Sequence, residues 1–379
     1  KQLFITQLST EKNIYRYHQL FREFLQVQLG DDYPLLAYRA AEIFTAQENW
    51  EQALRYYLAA QAPTESVHAL EKAGRSALNN GRWQTVLNWL QAVPFSVLES
   101  NPWLLLYQAE IEVFRGCIGA AEKWAQKAAI LFKNTGDNAG LTQTKILQAR
   151  VFCSRGMFFK SLELLAEGEK LLPSSDQRLD LVMERAVSLY LTGSFQAAEE
   201  LLLSALGKAK SQNNHFLLPY MLEGLGNIYY LMGDFPRALS FFKEGMKISP
   251  EGYLPGYHTQ DHMSVIYSDW GELEQALELA KRNVALKERF GLVETLPSAY
   301  THLAGIQTDL GAYEEAEENY QKVITLLKGI NGELIYLALS LAFYARCLWL
   351  QGKIIEAKAK IEEALAIKEI KDSICYGSC

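Results

Sequence analysis

LGNIYYLMGDFPRALSFFKEGMKISP, residues 225–250, reads as two helices folded back on each other around Gly233. A glycine at a helix C-terminus supplies the positive φ that such a cap often needs. Two residues after it, Phe235 can plug the corner between the helices, and five after it Ala238 is small. Seven before it stands another small residue, Gly226. Two small columns let antiparallel helices cross closely. Pro236 falls in the first turn of the second helix, where a missing N–H costs little, and Pro250 lies just past its end.

The same columns recur along the chain. Turn positions are Glu48, Gly81, Gly116, Gly156, Gly193, Gly233, Gly271, Gly311 and Gly352, spaced by 33, 35, 40, 37, 40, 38, 40 and 41 residues. The bulky column reads Trp50, Trp83, Ile118, Phe158, Phe195, Phe235, Leu273, Tyr313, Ile354. The small column after the turn reads Ala53, Val86, Ala121, Ser161, Ala198, Ala238, Ala276, Ala316, Ala357. The one before it reads Ala41, Gly74, Ala109, Ala149, Ala186, Gly226, Ser264, Ala304, Ala345. A period of this size specifies a solenoid of stacked helix pairs. The pattern closely resembles the tetratricopeptide repeat, with several copies longer than its usual 34 residues by about a helical turn. The expected fold is all-α, a right-handed superhelix of about nine tetratricopeptide-like helix pairs.

Composition is consistent with this and narrows the function. Of 379 residues 49% are hydrophobic, and 37 basic against 44 acidic residues give a net charge of −7 with no long Lys/Arg cluster. Direct nucleic-acid contact is therefore not expected. Five cysteines form no CxxC pair, so neither a disulfide framework nor a zinc ribbon is indicated, and a reducing cytoplasm is the simplest location. The run Leu334 to Leu350 is nearly all apolar but contains Arg346, is shorter than the ~20 residues a membrane span needs, and falls in register as a first helix. No membrane segment is expected. The start at Lys1, with no signal peptide, suggests a fragment of a longer protein.

The N-terminus departs from the repeat. Residues 15–29, YRYHQLFREFLQVQL, read as a helix with Leu20, Phe24 and Leu25 on one face, preceded by a strand-like run from Leu3 to Leu8. The pattern Tyr15 to Leu25, the Trp-Leu-x-x-x-Pro element Trp89 to Pro94 and the Asn101–Pro102 pair resemble MalT-like regulators, the large LuxR-type transcription activators of the signal-transducing NTPase class. The resemblance covers roughly residues 1–130. It implies residues 1–32 as the end of a winged-helix-like unit, 33–372 as the solenoid and 373–379 as a tail. It also implies a sensor lying between an NTPase module and a DNA-binding domain, with those domains or regulatory proteins as partners and self-association as a consequence. No G-x-x-x-x-G-K-[ST] phosphate loop occurs in the sequence.

In such arrays the first helix of each pair lines the concave face. Positions 13, 10, 6 and 3 before the turn glycine share one helical stripe. For Gly233 these are Tyr220, Glu223, Asn227 and Tyr230; for Gly271, His258, Asp261, Val265 and Ser268; for Gly193, Asp180, Met183, Val187 and Tyr190; for Gly156, Gln143, Ile146, Arg150 and Cys153. The candidate ligand-binding residues are Glu184, Tyr190, Tyr220, Glu223, Asn227, Tyr230, His258, Asp261 and His262. Aromatic faces with carboxylates and amides suit a small polar effector or a peptide. His258 and His262 have a metal-ligand spacing, with Asp261 and His302 nearby, but the resemblance implies no metal, and no metal or cofactor is expected. No nucleophile–base constellation points to an enzyme. A free-standing scaffold holding a partner's peptide is the alternative, and it requires neither the Tyr15–Leu25 block nor the Trp89–Pro94 element.

Overall fold

The computed structural model describes residues 5–9, 14–80, 82–115, 117–172, 178–211, 217–249, 254–289, 291–292, 295–329 and 334–367. The chain divides into two compact units, the first comprising Lys1–Ala77 and Gln84–Leu98, the second Leu78–Trp83 and Glu99–Cys379. In chain order the elements of the first unit and its border are β1 (Ile5–Ser9), β2 (Ile14–Tyr17), α1 (Gln19–Leu29), α2 (Asp32–Ala46), α3 (Trp50–Ala59), α4 (Pro63–Asn79), α5 (Trp83–Gln91) and α6 (Phe95–Ser100). The second unit continues with α7 (Pro102–Phe114), α8 (Ile118–Thr135), α9 (Asn138–Ser154), α10 (Phe158–Glu169), α11 (Leu179–Leu191), α12 (Phe195–Ser211) and α13 (Leu217–Leu231). Then come α14 (Phe235–Ile248), α15 (Leu254–Asp269), α16 (Leu273–Arg289), α17 (Leu296–Asp309), α18 (Tyr313–Gly329), α19 (Leu334–Leu350) and α20 (Ile354–Leu365).

The repeat columns map onto these helices. Each bulky residue two after the turn is the first residue of a second helix, from Trp50 in α3 to Ile354 in α20. Glu48 and the glycines at 156, 193, 233, 271, 311 and 352 all have φ between 55° and 83°, whereas Gly81, Gly116 and Pro250 lie outside the described residues. Both small columns are buried throughout. The bulky column is only half-buried, and Ile354 is 56% exposed, so these side chains cover the corners rather than plug them.

Close approach explains the most conspicuous small residue. A Cβ added at Gly226 would lie 2.3 Å from Cε1 of Phe242, a fully buried ring on α14, so α13 and α14 cross at a distance that only glycine permits here. Gly140 on α9 faces Phe132 of α8 in the same way, at 2.2 Å. Local capping agrees with the sequence. Asp234 accepts from Arg237 N at 3.2 Å with Pro236 in the first turn of α14, and Asn101 accepts from Trp103 N and Leu104 N at 3.0 and 3.1 Å with Pro102 opening α7.

Within the second unit each odd-numbered helix from α7 to α19 packs on its even partner, each from α9 onward also packs on the even helix before it, and successive odd helices touch one another. The odd helices therefore form a continuous layer, and this layer carries the site. No described helix is long and apolar enough to cross a membrane. α19 instead buries Ala338, Leu341, Ala345 and Leu348.

The N-terminus differs from expectation. Residues 14–17 form a strand, not the start of a helix, pairing antiparallel with β1 in the register Ile5↔Tyr17, Thr6↔Arg16 and Gln7↔Tyr15. The alternation Ile14-Tyr15-Arg16-Tyr17 suits a strand edge to be paired, and α1 begins only at Gln19. Leu20 and Phe24 are 70% and 55% exposed, so the predicted apolar face is not a buried one. Phe21 instead packs edge-on against Tyr17, with ring centroids 5.5 Å apart. The 373–379 tail, with Cys375 and Cys379, lies outside the described residues.

Candidate functional site

The second unit contains a groove of about 640 Å³ lined by the odd-numbered helices from α7 to α19. Glu184, Tyr190, Tyr220, Glu223, Asn227, Tyr230, Asp261 and His262 line it together; His258 sits in α15, but its side chain is not among those described. The stripe before Gly233 contributes all four of its positions, that before Gly193 contributes Met183, Val187 and Tyr190, and that before Gly271 contributes Asp261 and Val265, because these positions stack on one helical face. Position 9 joins them: Glu184, His262 and His302 all occupy it. Asp180 and Ser268, although on the stripe, are not part of the lining, and Asp180 is held instead by Arg178 Nε at 3.1 Å. Trp349 is exposed and apart from the groove.

Two ion pairs organise its ends. Arg150 of α9 donates from Nε to Glu184 Oε1 of α11 at 3.0 Å and from Nη2 to the same oxygen. The adjacent carboxylate keeps the guanidinium charged, raising its pKa above the ordinary value. At the other end Asp261 is 4% exposed and Lys287 of α16 wholly buried. Lys287 Nζ donates to Asp261 Oδ2 and, at 3.2 Å, to the Thr295 carbonyl; Asn283 Nδ2 donates to Asp261 Oδ1 at 2.6 Å. Burial pushes the Asp261 carboxyl up, but the Lys287 ammonium and the His302 imidazole, 3.7 Å away, outweigh it and hold the group below the usual carboxylate range. The Asp261 oxygens are thereby committed to protein donors.

Between the pairs lies α13. Tyr190 OH accepts from Asn227 Nδ2 at 3.5 Å, and burial raises the phenol's pKa. Asn227 Oδ1 is buried with no hydrogen-bond partner among the described residues. Glu223, one turn before it, meets no Lys or Arg in an ion pair among the described residues, and the His262 imidazole stands 3.7 Å off. The His262 ring is stacked on Phe242 with centroids 5.6 Å apart. Burial pushes the Glu223 carboxyl up to about 8, Lys287 opposing and Asp261 reinforcing the shift. Tyr230 donates to Asp269 at 3.3 Å and stacks on Phe235 at 5.8 Å; burial and that carboxylate push its phenol up to about 12.

The raised Glu223 gives a pH signature. Its native pKa of about 8 exceeds the unfolded value near 4.5, so the stability it contributes is present at low pH and is lost as pH rises through that window. Glu223→Gln is expected to remove this slope, the variant overtaking the parent by up to a few kcal/mol near pH 8. Denaturant titrations at about pH 5 and pH 8 check it; parallel pH profiles for the two proteins contradict it.

Sequence reasoning placed Arg150 on the stripe but not in the site, and missed Ser298, Tyr336 and the buried Lys287 and Asn283 altogether. A signal existed for the last two. At 12 and 16 residues past the turn other copies carry Ala205 and Ala209, Gly245 and Ser249, or Val323 and Leu327, where this copy has Asn283 and Lys287.

Comparison with known proteins bears on the fold. Residues 1–37 match the MalT winged helix domain, and residues 36–67 and 295–370 match tetratricopeptide repeats. No curated protein matches the chain in sequence. Among solved structures, a signal transduction ATPase with numerous domains carrying a tetratricopeptide repeat sensor, from Pyrococcus horikoshii, is similar at 16% identity and a TM-score of 0.52, over 98% of this chain and 57% of that one. The chain thus spans little more than half of that ATPase. A Rap protein in complex with Competence and Sporulation Factor is similar at 14% identity and a TM-score of 0.64, over 92% of this chain and 98% of that one. Cut9–Hcn1 of the APC/C is similar at 12% and 0.57, over 92% and 72%. At these identities the likeness concerns the fold. The chain joins a MalT-type winged-helix segment to a tetratricopeptide-repeat solenoid, as the Tyr15–Leu25 pattern and the repeat columns imply.

Proposed function

We propose that the second unit is the signal-receiving domain of a MalT-like transcription regulator, and that a small polar effector or a peptide binds in the groove of its odd-numbered helices. One observation carries the reading: four tyrosines, an amide oxygen without a partner among the described residues and two ion pairs meet on a single groove of about 640 Å³ lined by seven first helices, within the range of ligand sites. A solenoid held together by nearest-neighbour contacts needs no such buried polar set for stability. The Rap protein, which shares the fold and was solved with Competence and Sporulation Factor, supports the view that this architecture accommodates a regulatory ligand. Binding would favour one arrangement of the repeats, and through differential affinity for that arrangement it would bias an attached NTPase and DNA-binding module and their self-association.

The test is a calorimetric panel on the full chain, made of amines, neutral oligosaccharides and blocked tripeptides, followed by variants against whichever members bind. Tyr220→Ala and Tyr230→Ala are each expected to weaken binding by roughly 1–3 kcal/mol while leaving the helical circular dichroism intact. Affinity unchanged in the double variant would remove the groove from consideration.

A further inference from the structure

The two ion pairs of the groove leave one carboxyl over. Arg150 is spent on Glu184, and Lys287 on Asp261 and the Thr295 carbonyl. That leaves Glu223, whose side chain is 12% exposed, in the middle of the groove. His262, at 3.7 Å, is beyond hydrogen-bond reach and is fixed by its stacking on Phe242. A second acceptor, Asn227 Oδ1, is buried without a partner among the described residues, one turn further along the same face of α13. Two oxygens aligned one turn apart, flanked by the rings of Tyr190, Tyr220 and Tyr230, form a receptor for donors once Glu223 gives up its proton.

Resting on the reading of the groove as a ligand site, we propose that the groove selects ligands bearing a cationic nitrogen, an ammonium or guanidinium group, which pairs with Glu223 while a neighbouring N–H satisfies Asn227 Oδ1. The flanking tyrosine faces add cation–π attraction. An anionic ligand would hold Glu223 in its protonated form and gains no charge pairing there. A free polyamine and a Lys or Arg side chain of a peptide share this chemistry, and their sizes separate them in the test. The groups facing Glu223 bear on its ionisation: Asp261 raises its pKa, Lys287 lowers it, and His262 stands beside it. A ligand cation would draw the carboxyl into its ionised form, so binding near neutral pH releases a proton.

The experiment uses the full chain and matched probes: blocked tripeptides centred on arginine or lysine, the same tripeptides with citrulline or norleucine, and the free amines agmatine and spermidine. The cationic peptide or the free amine is expected to bind at least about tenfold more tightly than its neutral counterpart, to lose about tenfold or more in Glu223→Gln, and to release protons detectable as a buffer-dependent heat at about pH 7. Preference for the tripeptides assigns the cation to a peptide, and preference for agmatine or spermidine assigns it to a small effector. Citrulline binding as well as arginine, affinity indifferent to Glu223→Gln, or binding without proton release overturns the charge assignment while the groove reading survives. Binding confined to neutral oligosaccharides does the same. Failure of every probe to bind overturns both.

Discussion

Replacing Lys287 by methionine is expected to destabilise the second unit by about 3–5 kcal/mol, because it strands a carboxylate that has no exit to water. Asp261 is 4% exposed and Lys287 wholly buried, and the lysine also satisfies the Thr295 carbonyl at the entry to α17. Asn283 and the more distant Ser298 can share hydrogen bonds with Asp261, and His302 stands 3.7 Å away, but none of them supplies a fixed positive charge. Burial alone would push Asp261 toward its neutral form, so the variant is expected to recover stability as pH falls and the carboxyl takes up a proton. In the parent the sign is reversed: the depressed Asp261 pKa contributes stability above the unfolded value of 3.8 that is lost as pH falls through the native one. Denaturant unfolding across this range measures both. The double variant Asp261→Leu/Lys287→Met, which removes both charges, is expected to regain much of the loss, since a buried pair exchanged for apolar groups is often near neutral. A single variant as stable as the parent at neutral pH would show that the pair is not buried.

Gly226→Leu is expected to cost about 3 kcal/mol or more, at the upper end of what overpacking does, because even a Cβ there would lie 2.3 Å from a ring carbon of the fully buried Phe242. The ring cannot retreat freely, since it stacks against His262 in the groove. The variant should therefore disturb the groove as well as the stack, although Gly226 itself is not among its lining residues. Ala304→Leu, at the equivalent and equally buried position, should destabilise by about 1–3 kcal/mol without moving His262. Thermal melts of both variants check the column, and an unchanged melting temperature in Gly226→Leu would refute the close crossing of α13 and α14.

What the sequence made legible follows from where its constraints are strict. A helix crossing that tolerates only a small residue, and a turn that needs positive φ, each restrict a position to a few residue types, so nine copies align by eye and the second helices start at the expected residues. Even Glu48, the one non-glycine turn residue, adopts a φ of 55°. The stripe that lines the groove was computable because it depends only on helical period and turn position. Contributions from the second helices were not, as Lys287 and Asn283 reach the site from columns that other copies fill with small or apolar residues, and a rule read from repetition hides its exceptions. The N-terminal strand was misread because Tyr15 and Tyr17 fit a helical apolar pattern as well as a strand's alternation, and pairing with β1 decides between them. The half-exposed corner column reflects another limit. Period shows where a side chain sits but not how much of it the next repeat covers.

The central claim, that the odd-numbered helices of the second unit receive the ligand, is tested most directly by hydrogen–deuterium exchange of the full chain with and without the tightest-binding member of the probe panel. Slower exchange is predicted in Leu179–Leu191, Leu217–Leu231 and Leu254–Asp269, with Phe195–Ser211 and Phe235–Ile248 little changed on their outer turns. Protection centred on those second helices, with the three first helices unaffected, would contradict it.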